Sequence, residues 1–73
     1  YPNPTQDWTS LKTVQSSTFE LMVYNSLGQI VFSTTYYGNA YILNLKDFAS
    51  GVYLIELSDT DNEIKTVKQV VKK

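Results

Sequence analysis

The sequence predicts an all-β fold, an immunoglobulin-like antiparallel β-sandwich of about seven short strands. Apolar and polar residues alternate with a period of two along much of the chain, whereas helical periodicity is poor. Turn-forming residues interrupt this alternation about every 8 to 12 residues, a spacing typical of small antiparallel domains. The 73 residues are enough for one domain built around a single hydrophobic core.

The opening residues predict an extended segment followed by a strand. Pro2 and Pro4 restrict this segment to extended or polyproline geometry and exclude it from a central strand, because proline has no backbone N–H to donate. We assign Trp8–Val14 to a strand because its threonines favour extended chain. Its apolar residues recur every three positions, however, so one helical turn also fits this segment.

The clearest local pattern predicts a β-hairpin over residues 18–35. Residues 18–24 alternate strictly, and the extended pattern resumes at Ile30. Between them, residues 25–28 supply turn chemistry, including a glycine that can adopt positive φ, so we expect a loop of about three to five residues. One face of the first strand holds Phe19, Leu21 and Val23.

Three further strands are predicted in the second half of the chain, over residues 41–45, 52–58 and 64–72. In the last of these, Val67 and Val71 share one face. Its other face holds Thr66, Lys68 and Val70. The residues expected to point inward from the two earlier strands are Tyr41, Leu43, Leu45, Tyr53, Ile55 and Leu57.

Two connections join these strands. Residues 46–51 have too little apolar periodicity for a helix, so we predict a tight crossover in which Phe48 enters the core. Residues 59–62 are all polar and predict the tip of a hairpin.

The composition argues against catalysis and metal binding. The chain contains no cysteine, histidine or arginine, so it lacks a thiol nucleophile, the usual general base and the commonest metal ligand. Its net charge of −1 does not indicate a nucleic-acid partner, and no apolar run is long enough to predict a transmembrane segment. We therefore expect no enzyme activity, no cofactor and no metal.

Two clusters leave alternative interpretations open. The acidic tip over residues 59–63 is superficially similar to a calcium loop but lacks the glycine and the distal glutamate of an EF-hand, so a solvated hairpin tip is the simpler interpretation. Tyr36, Tyr37 and Trp8 could form a flat surface that stacks on sugars, although ordinary sheet pairing also explains strand tyrosines. Tyr24 is a further candidate for a surface aromatic side chain.

Four motifs in a fixed order point to a known family. The chain opens with YPNP, continues with FELMVYNSLGQIVF and LNLKDFASGVYLIEL, and ends in a valine-rich strand with two lysines. This arrangement resembles the type A C-terminal sorting domain of the type IX secretion system over essentially the whole chain. Such a domain follows a secreted cargo protein of a Bacteroidota bacterium. Because Tyr1 cannot be a natural initiator residue, both ends of the chain are expected to be cut edges of a larger protein.

The resemblance carries over to individual residues. The second glycine and aromatic of the family pattern correspond to Gly51 and Tyr53, and its hairpin glycine corresponds to Gly28; Phe48 stands where leucine is common. The opening motif maps to Tyr1, Pro2, Asn3 and Pro4. The terminal strand, which the resemblance makes the candidate for translocon recognition, maps to Val67, Lys68, Val70, Val71, Lys72 and Lys73.

The resemblance also implies partners and a location. The expected partners are type IX translocon and shuttle proteins, a sortase-like cell-surface peptidase, and a covalently linked N-terminal cargo. The expected route leads through the periplasm to the cell surface or the extracellular space, after which the domain is usually cleaved.

Two other functions fit the same residues. An immunoglobulin-like carbohydrate-binding or adhesion module would use the aromatic surface described above. A passive spacer at the end of a surface protein would need no recognition surface at all.

Overall fold

The computed structural model describes residues 4–5 and 8–73, and within this part of the chain the regular structure is entirely β-strand. The strands form one sheet in the order β1-β5-β4-β2-β3. Neighbouring strands are antiparallel except β1 and β5, which are parallel. The bounds are β1 Pro4–Thr5, β2 Trp8–Tyr24, β3 Ile30–Asn44, β4 Gly51–Asp59 and β5 Ile64–Lys72.

The all-β prediction is confirmed, but the strand count differs from the expected seven. Five strands are present in the described residues, and β2 and β3 are 17 and 15 residues long. Each of these long strands joins two segments that the sequence predicts as separate strands. Serines at positions 16 and 17 and the glycine at position 38 mark a shift in register within the paired strands rather than a break between strands. The described residues therefore form one sheet and not the two sheets of an immunoglobulin-like sandwich.

The long β2–β3 hairpin brings its two halves to the same core. The register shifts between Lys12 and Ser17, where β2 has more residues than the facing part of β3. On the N-terminal side of this shift, Leu11 lines a small cavity together with Ile55 and Leu57 of β4 and Thr66 of β5. The start of β2 thus lies near β4 and β5 without pairing with them.

The apolar side chains that alternate along the strands form the hydrophobic core on one face of the sheet. The predicted inward faces of β2 and β4 are confirmed, because every member is at most 7% exposed. The fully buried side chains come from three strands and the β3–β4 loop: Leu21, Val23, Leu43, Leu45 and Ile55. Tyr41 and Phe48 pack against this cluster while remaining partly exposed.

The predicted connections are also confirmed. Five residues link β2 to β3, and the chain from Leu45 to Ser50 crosses from β3 to β4, which are separated by β2 in the sheet. The Phe48 amide closes this crossover by donating to the Leu45 carbonyl oxygen at 3.0 Å. The β4–β5 hairpin is closed by a 2.8 Å hydrogen bond from the Glu63 amide to the Asp59 carbonyl oxygen.

Candidate recognition surface on the last strand

The terminal strand β5 is held mainly by β4. The two strands pair in antiparallel register from Asp59 opposite Ile64 to Gly51 opposite Lys72. On its other side, the described structure gives β5 a partner only at Val71 and Lys72, where the short β1 pairs in parallel. This register decides which face each candidate recognition residue presents, because residues opposite each other in a sheet share a face.

The structure separates the six candidate recognition residues into two groups. Val70 lies opposite Tyr53, is 4% exposed and belongs to the core, and Lys72 on the same face is 9% exposed. Val67 is 58% exposed on the opposite face, which also carries the half-buried Val71. Lys68 and Lys73 are exposed as well. The terminal motif therefore combines residues that anchor the strand with residues that a partner can contact.

The exposed side of β5 continues onto β4 as an apolar surface. Val71 lies opposite Val52, and Val67 lies opposite Glu56. Leu54 lies on the same face of β4, opposite Gln69 of β5. Val52 and Leu54 are 40% and 44% exposed, which is high for aliphatic side chains in the middle of a strand. We call this surface, formed by Val52, Leu54, Val67 and Val71, the outer patch.

One acidic side chain lies in the midst of this face and is paired on both sides. The Glu56 carboxylate accepts a hydrogen bond from the Tyr24 hydroxyl at 3.2 Å and lies 3.6 Å from the Lys65 ammonium. Desolvation raises the pKa of Tyr24, with smaller contributions from the charge and the hydrogen bond of Glu56. The phenol therefore stays neutral at physiological pH and acts as a hydrogen-bond donor. Glu56 therefore has protein partners on both sides, while the four residues of the outer patch itself are aliphatic.

Two motif glycines have backbone roles. Gly28 adopts φ +83° in the β2–β3 turn, and Gly51 adopts φ +154° where β4 begins. A side chain at either site would meet no atom within 4 Å, so the positive φ and not crowding is the reason for glycine.

Asn25 organises the turn that contains Gly28. Its side-chain oxygen accepts hydrogen bonds from the amides of Leu27 and Gln29 at 2.9 and 3.0 Å. This use of an Asx side chain to hold a turn was not among the sequence predictions, although an asparagine immediately after a strand is its usual signature.

Tyr53, the aromatic residue of the GVY sequence at the start of β4, connects the β3–β4 crossover to β4. The buried Tyr53 ring lies 5.1 Å from the Phe48 ring, centroid to centroid. Its hydroxyl donates to the Ala49 carbonyl oxygen at 2.6 Å. The motif residues Gly51 and Tyr53 thus hold the chain in place where it enters β4. Pro4 lies in the edge strand β1, and the predictions for Tyr1, Pro2 and Asn3 lie outside the described residues.

The acidic hairpin tip is a hydrogen-bonded clamp. The Ser17 hydroxyl lies 2.6 Å from an Asp59 carboxylate oxygen and 2.9 Å from one of Asp61. Asp59 also accepts from the Asn62 amide group and backbone, and these hydrogen bonds, led by that of the Asn62 side chain, lower its pKa. In the part of the chain that the structure describes, no group of three or more acidic, histidine or cysteine side chains is placed to hold a metal ion. The tip ties β2 to the β4–β5 hairpin.

The three aromatic residues of the possible sugar-binding surface do not form one platform. Tyr36 stacks between Phe19 and Tyr41 at centroid distances of 5.5 and 4.9 Å and packs partly buried against the core, which is the ordinary sheet packing that the sequence left open as the alternative. Tyr37 is 74% exposed on β3. Trp8 is 59% exposed and lines a depression of about 460 Å³ with Ile42, Asn44 and Lys46.

Comparison with known proteins gives the decisive observation. A family model described as a secretion system C-terminal sorting domain matches residues 1–73. The chain belongs to this family of type IX secretion sorting domains. It is a C-terminal sorting signal, and the resemblance stated from its motifs is confirmed.

Two curated relatives of this sorting domain are ulvan lyases. An ulvan lyase of Nonlabens ulvanivorans is 32% identical over 97% of the chain, and an endo-acting ulvan lyase of Formosa agariphila is 37% identical over 99% of the chain. The chain spans 14% of the length of each relative. No solved structure matches the chain significantly. Within its described residues, the sorting domain contains no helix able to cross a membrane.

Proposed function

We propose that this sorting domain directs a covalently attached N-terminal cargo through the type IX outer-membrane translocon and that the outer patch is the surface the export machinery reads. The family match over residues 1–73 carries the first part of the proposal. Because the domain corresponds to 14% of each ulvan lyase, we expect it to be the single C-terminal domain of a precursor several times its length. The cargo would pass through the periplasm and reach the cell surface or the medium.

The outer patch is the best candidate for recognition because it combines exposure with a rigid support. Val67 projects from the same strand that inserts Val70 into the core, so its position is determined by packing. Apolar side chains held on a rigid strand lose little entropy when a partner covers them. Lys73 adds positive charge just beyond the end of β5, and Lys68 adds it from the other face of the strand, which would help orient an approaching partner at longer range.

After transport, we propose that a sortase-like cell-surface peptidase separates cargo and domain, as the family resemblance implies. The bent β2–β3 hairpin supports a two-layered, sandwich-like fold that remains compact during this passage. In this proposal the domain needs no catalytic residue of its own, because the reaction takes place on the linker to the cargo.

A reporter fusion tests which part of β5 is read. A fluorescent protein with a Sec signal is joined to residues 1–73 and expressed in a bacterium with a type IX system, and fluorescence is measured in the periplasm, at the surface and in the medium. Deletion of residues 70–73 should leave the reporter in the periplasm. Since this deletion also removes Val70 from the core, it tests folding and recognition together.

Val67→Lys isolates recognition, because this side chain is 58% exposed and contributes little to the core. We expect the variant to fold normally and to remain in the periplasm. The matched control is Ile42→Lys on β3. This aliphatic side chain is 67% exposed, and its strand is separated from β5 by β2 and β4 in the sheet. Normal export of Val67→Lys, or equal loss of export in the control, would contradict the assignment of recognition to the outer patch.

Export of a reporter that lacks the whole domain would instead support the passive spacer. The carbohydrate-binding alternative would be supported by glycan binding that is lost on Trp8→Ala, which removes the most exposed aromatic side chain outside β3 among the described residues.

A further inference from the structure

The strand β3 ends the sheet and carries neither charged side chains nor prolines along its edge. It pairs with β2 on one side, and in the described part of the chain it has no strand on the other. Its 15 residues include no lysine, acidic residue or proline. Natural proteins commonly shield exposed edges with charges or prolines, because unpaired backbone N–H and C=O groups accept another strand. By contrast, the nine residues of β5 contain three lysines.

The first half of β3 is the part best suited to accept a strand. Residues 30–37, IVFSTTYY, contain no glycine, and their pairing with β2 is regular from Phe32 to Tyr37, after a register shift at Val31. β-Branched and aromatic residues dominate this stretch, and such residues favour strand pairing. Ile30, Val31 and Tyr37 are 55%, 42% and 74% exposed, so their apolar surface remains available to a partner.

We propose that residues 30–37 form a pairing edge and that the partner is a second copy of this chain, joined antiparallel around a twofold axis beside Thr34. A twofold axis perpendicular to the sheet leaves the same face of both copies on one side of the joined sheet. Odd-numbered residues of one copy therefore lie opposite odd-numbered residues of the other, and even-numbered residues opposite even-numbered ones. Centred on Thr34, it pairs Thr34 with the Thr34 of the second copy. It also pairs Phe32 with Tyr36 and Val31 with Tyr37.

The absence of charge removes the repulsion that two copies of an edge strand would otherwise meet. In any twofold strand pair, a charged residue near the axis lies close to its own copy, and like charges placed opposite each other are destabilising. Residues 30–37 avoid this repulsion because they carry no charged side chain. The aromatic and threonine pairs that result are among the cross-strand pairs that stabilise sheets. An edge contact of this length is small, so we expect a concentration-dependent equilibrium and not a permanent dimer.

Sedimentation of the 73-residue chain over a wide concentration range tests the association. The wild-type chain should pass from monomer to dimer as its concentration rises. The variant Ser33→Lys/Thr35→Lys places introduced lysines opposite each other in the proposed pair and should raise the dissociation constant by about tenfold or more. Both side chains are exposed, so the monomer should keep its fold.

The matched control is Ser26→Lys/Ser50→Lys, which adds the same charge at exposed loop positions and should dimerise as the wild type does. A wild-type chain that stays monomeric at all concentrations overturns the proposal, whether or not another protein binds β3. Equal dimerisation of the two lysine variants overturns it as well.

Disulfide cross-linking tests the register, since the natural chain has no cysteine. Thr34→Cys should yield a covalent dimer under mild oxidation, because directly opposite residues have Cβ atoms about 4.5–5.5 Å apart. Thr35→Cys should cross-link far less, since in this register its copy lies on the diagonal, about 7–8 Å away. Cross-linking of Thr34→Cys no faster than that of the exposed turn variant Ser26→Cys would overturn the proposed pairing.

Discussion

Truncation of Val70 measures how much the packing of β5 against the core contributes to the free energy of unfolding. It lies opposite Tyr53 and is 4% exposed within the core. Val70→Ala removes two methyl groups, and each buried carbon contributes about 0.8 kcal/mol, which gives roughly 1.6 kcal/mol. The cavity that remains should raise the loss of unfolding free energy to about 2 kcal/mol. A domain of this size is rarely stable by more than about 3–5 kcal/mol, so a large fraction of its stability would be lost.

Urea unfolding followed by circular dichroism measures this loss, and thermal unfolding should show a midpoint lower by about 8–16 °C. The control is Val67→Ala on the same strand, where the side chain is 58% exposed. That change should alter stability by less than about 0.5 kcal/mol. If the two variants unfold at the same urea concentration, the inward orientation of Val70 is wrong and the division of β5 into an anchoring face and a contact face fails.

Three further substitutions or conditions test the surrounding structure. Gly51→Val should lower the melting temperature, because φ +154° strains a β-branched residue, and any loss of export should result from this loss of stability. Lost export with an unchanged melting temperature would contradict this explanation. Tyr53→Phe should cost about 0.5–1.5 kcal/mol in urea unfolding by removing the 2.6 Å hydrogen bond to Ala49, and an unchanged midpoint would show that this bond is not stabilising. Hydrogen bonds lower the pKa of Asp59 in the folded state, so its ionised carboxylate should contribute to the free energy of unfolding above the ordinary pKa of 3.8. This contribution should be lost as the pH falls through the lowered pKa. Asp59→Asn should flatten the acid limb of the stability curve, and an identical limb would exclude this role.

The elements that the sequence predicts correctly are those determined by neighbours along the chain. The hairpin over residues 18–35 follows from the alternation over residues 18–24 and from the extended pattern that resumes at Ile30, after a turn that contains asparagine and glycine. The inward faces of β2 and β4 follow from the same period of two, because a strand can bury only one of its faces against a core. The family motifs could also be identified without coordinates, because their order and spacing are linear properties.

The merging of strands could not be predicted in this way. A glycine or a serine pair has the same local signature whether it ends a strand or lies at a register shift inside one. Only the pairing of Lys12 with Ala40 and of Ser17 with Gly38 shows that β2 and β3 continue through this region. The long hairpin and the exposed edge of β3 therefore belong to the tertiary structure.

The same distinction applies to the recognition strand. Alternation along β5 is enough to predict that Val67 and Val71 share one face and that Val70 lies on the other. Which of the two faces is buried is known only from the folded structure, since burial depends on the segments that pack against β5. Leu11 and the β3–β4 loop cover the face of Val70 and leave the face of Val67 to solvent. Alternation is a local property of the backbone, whereas burial depends on packing between segments that are distant in the chain.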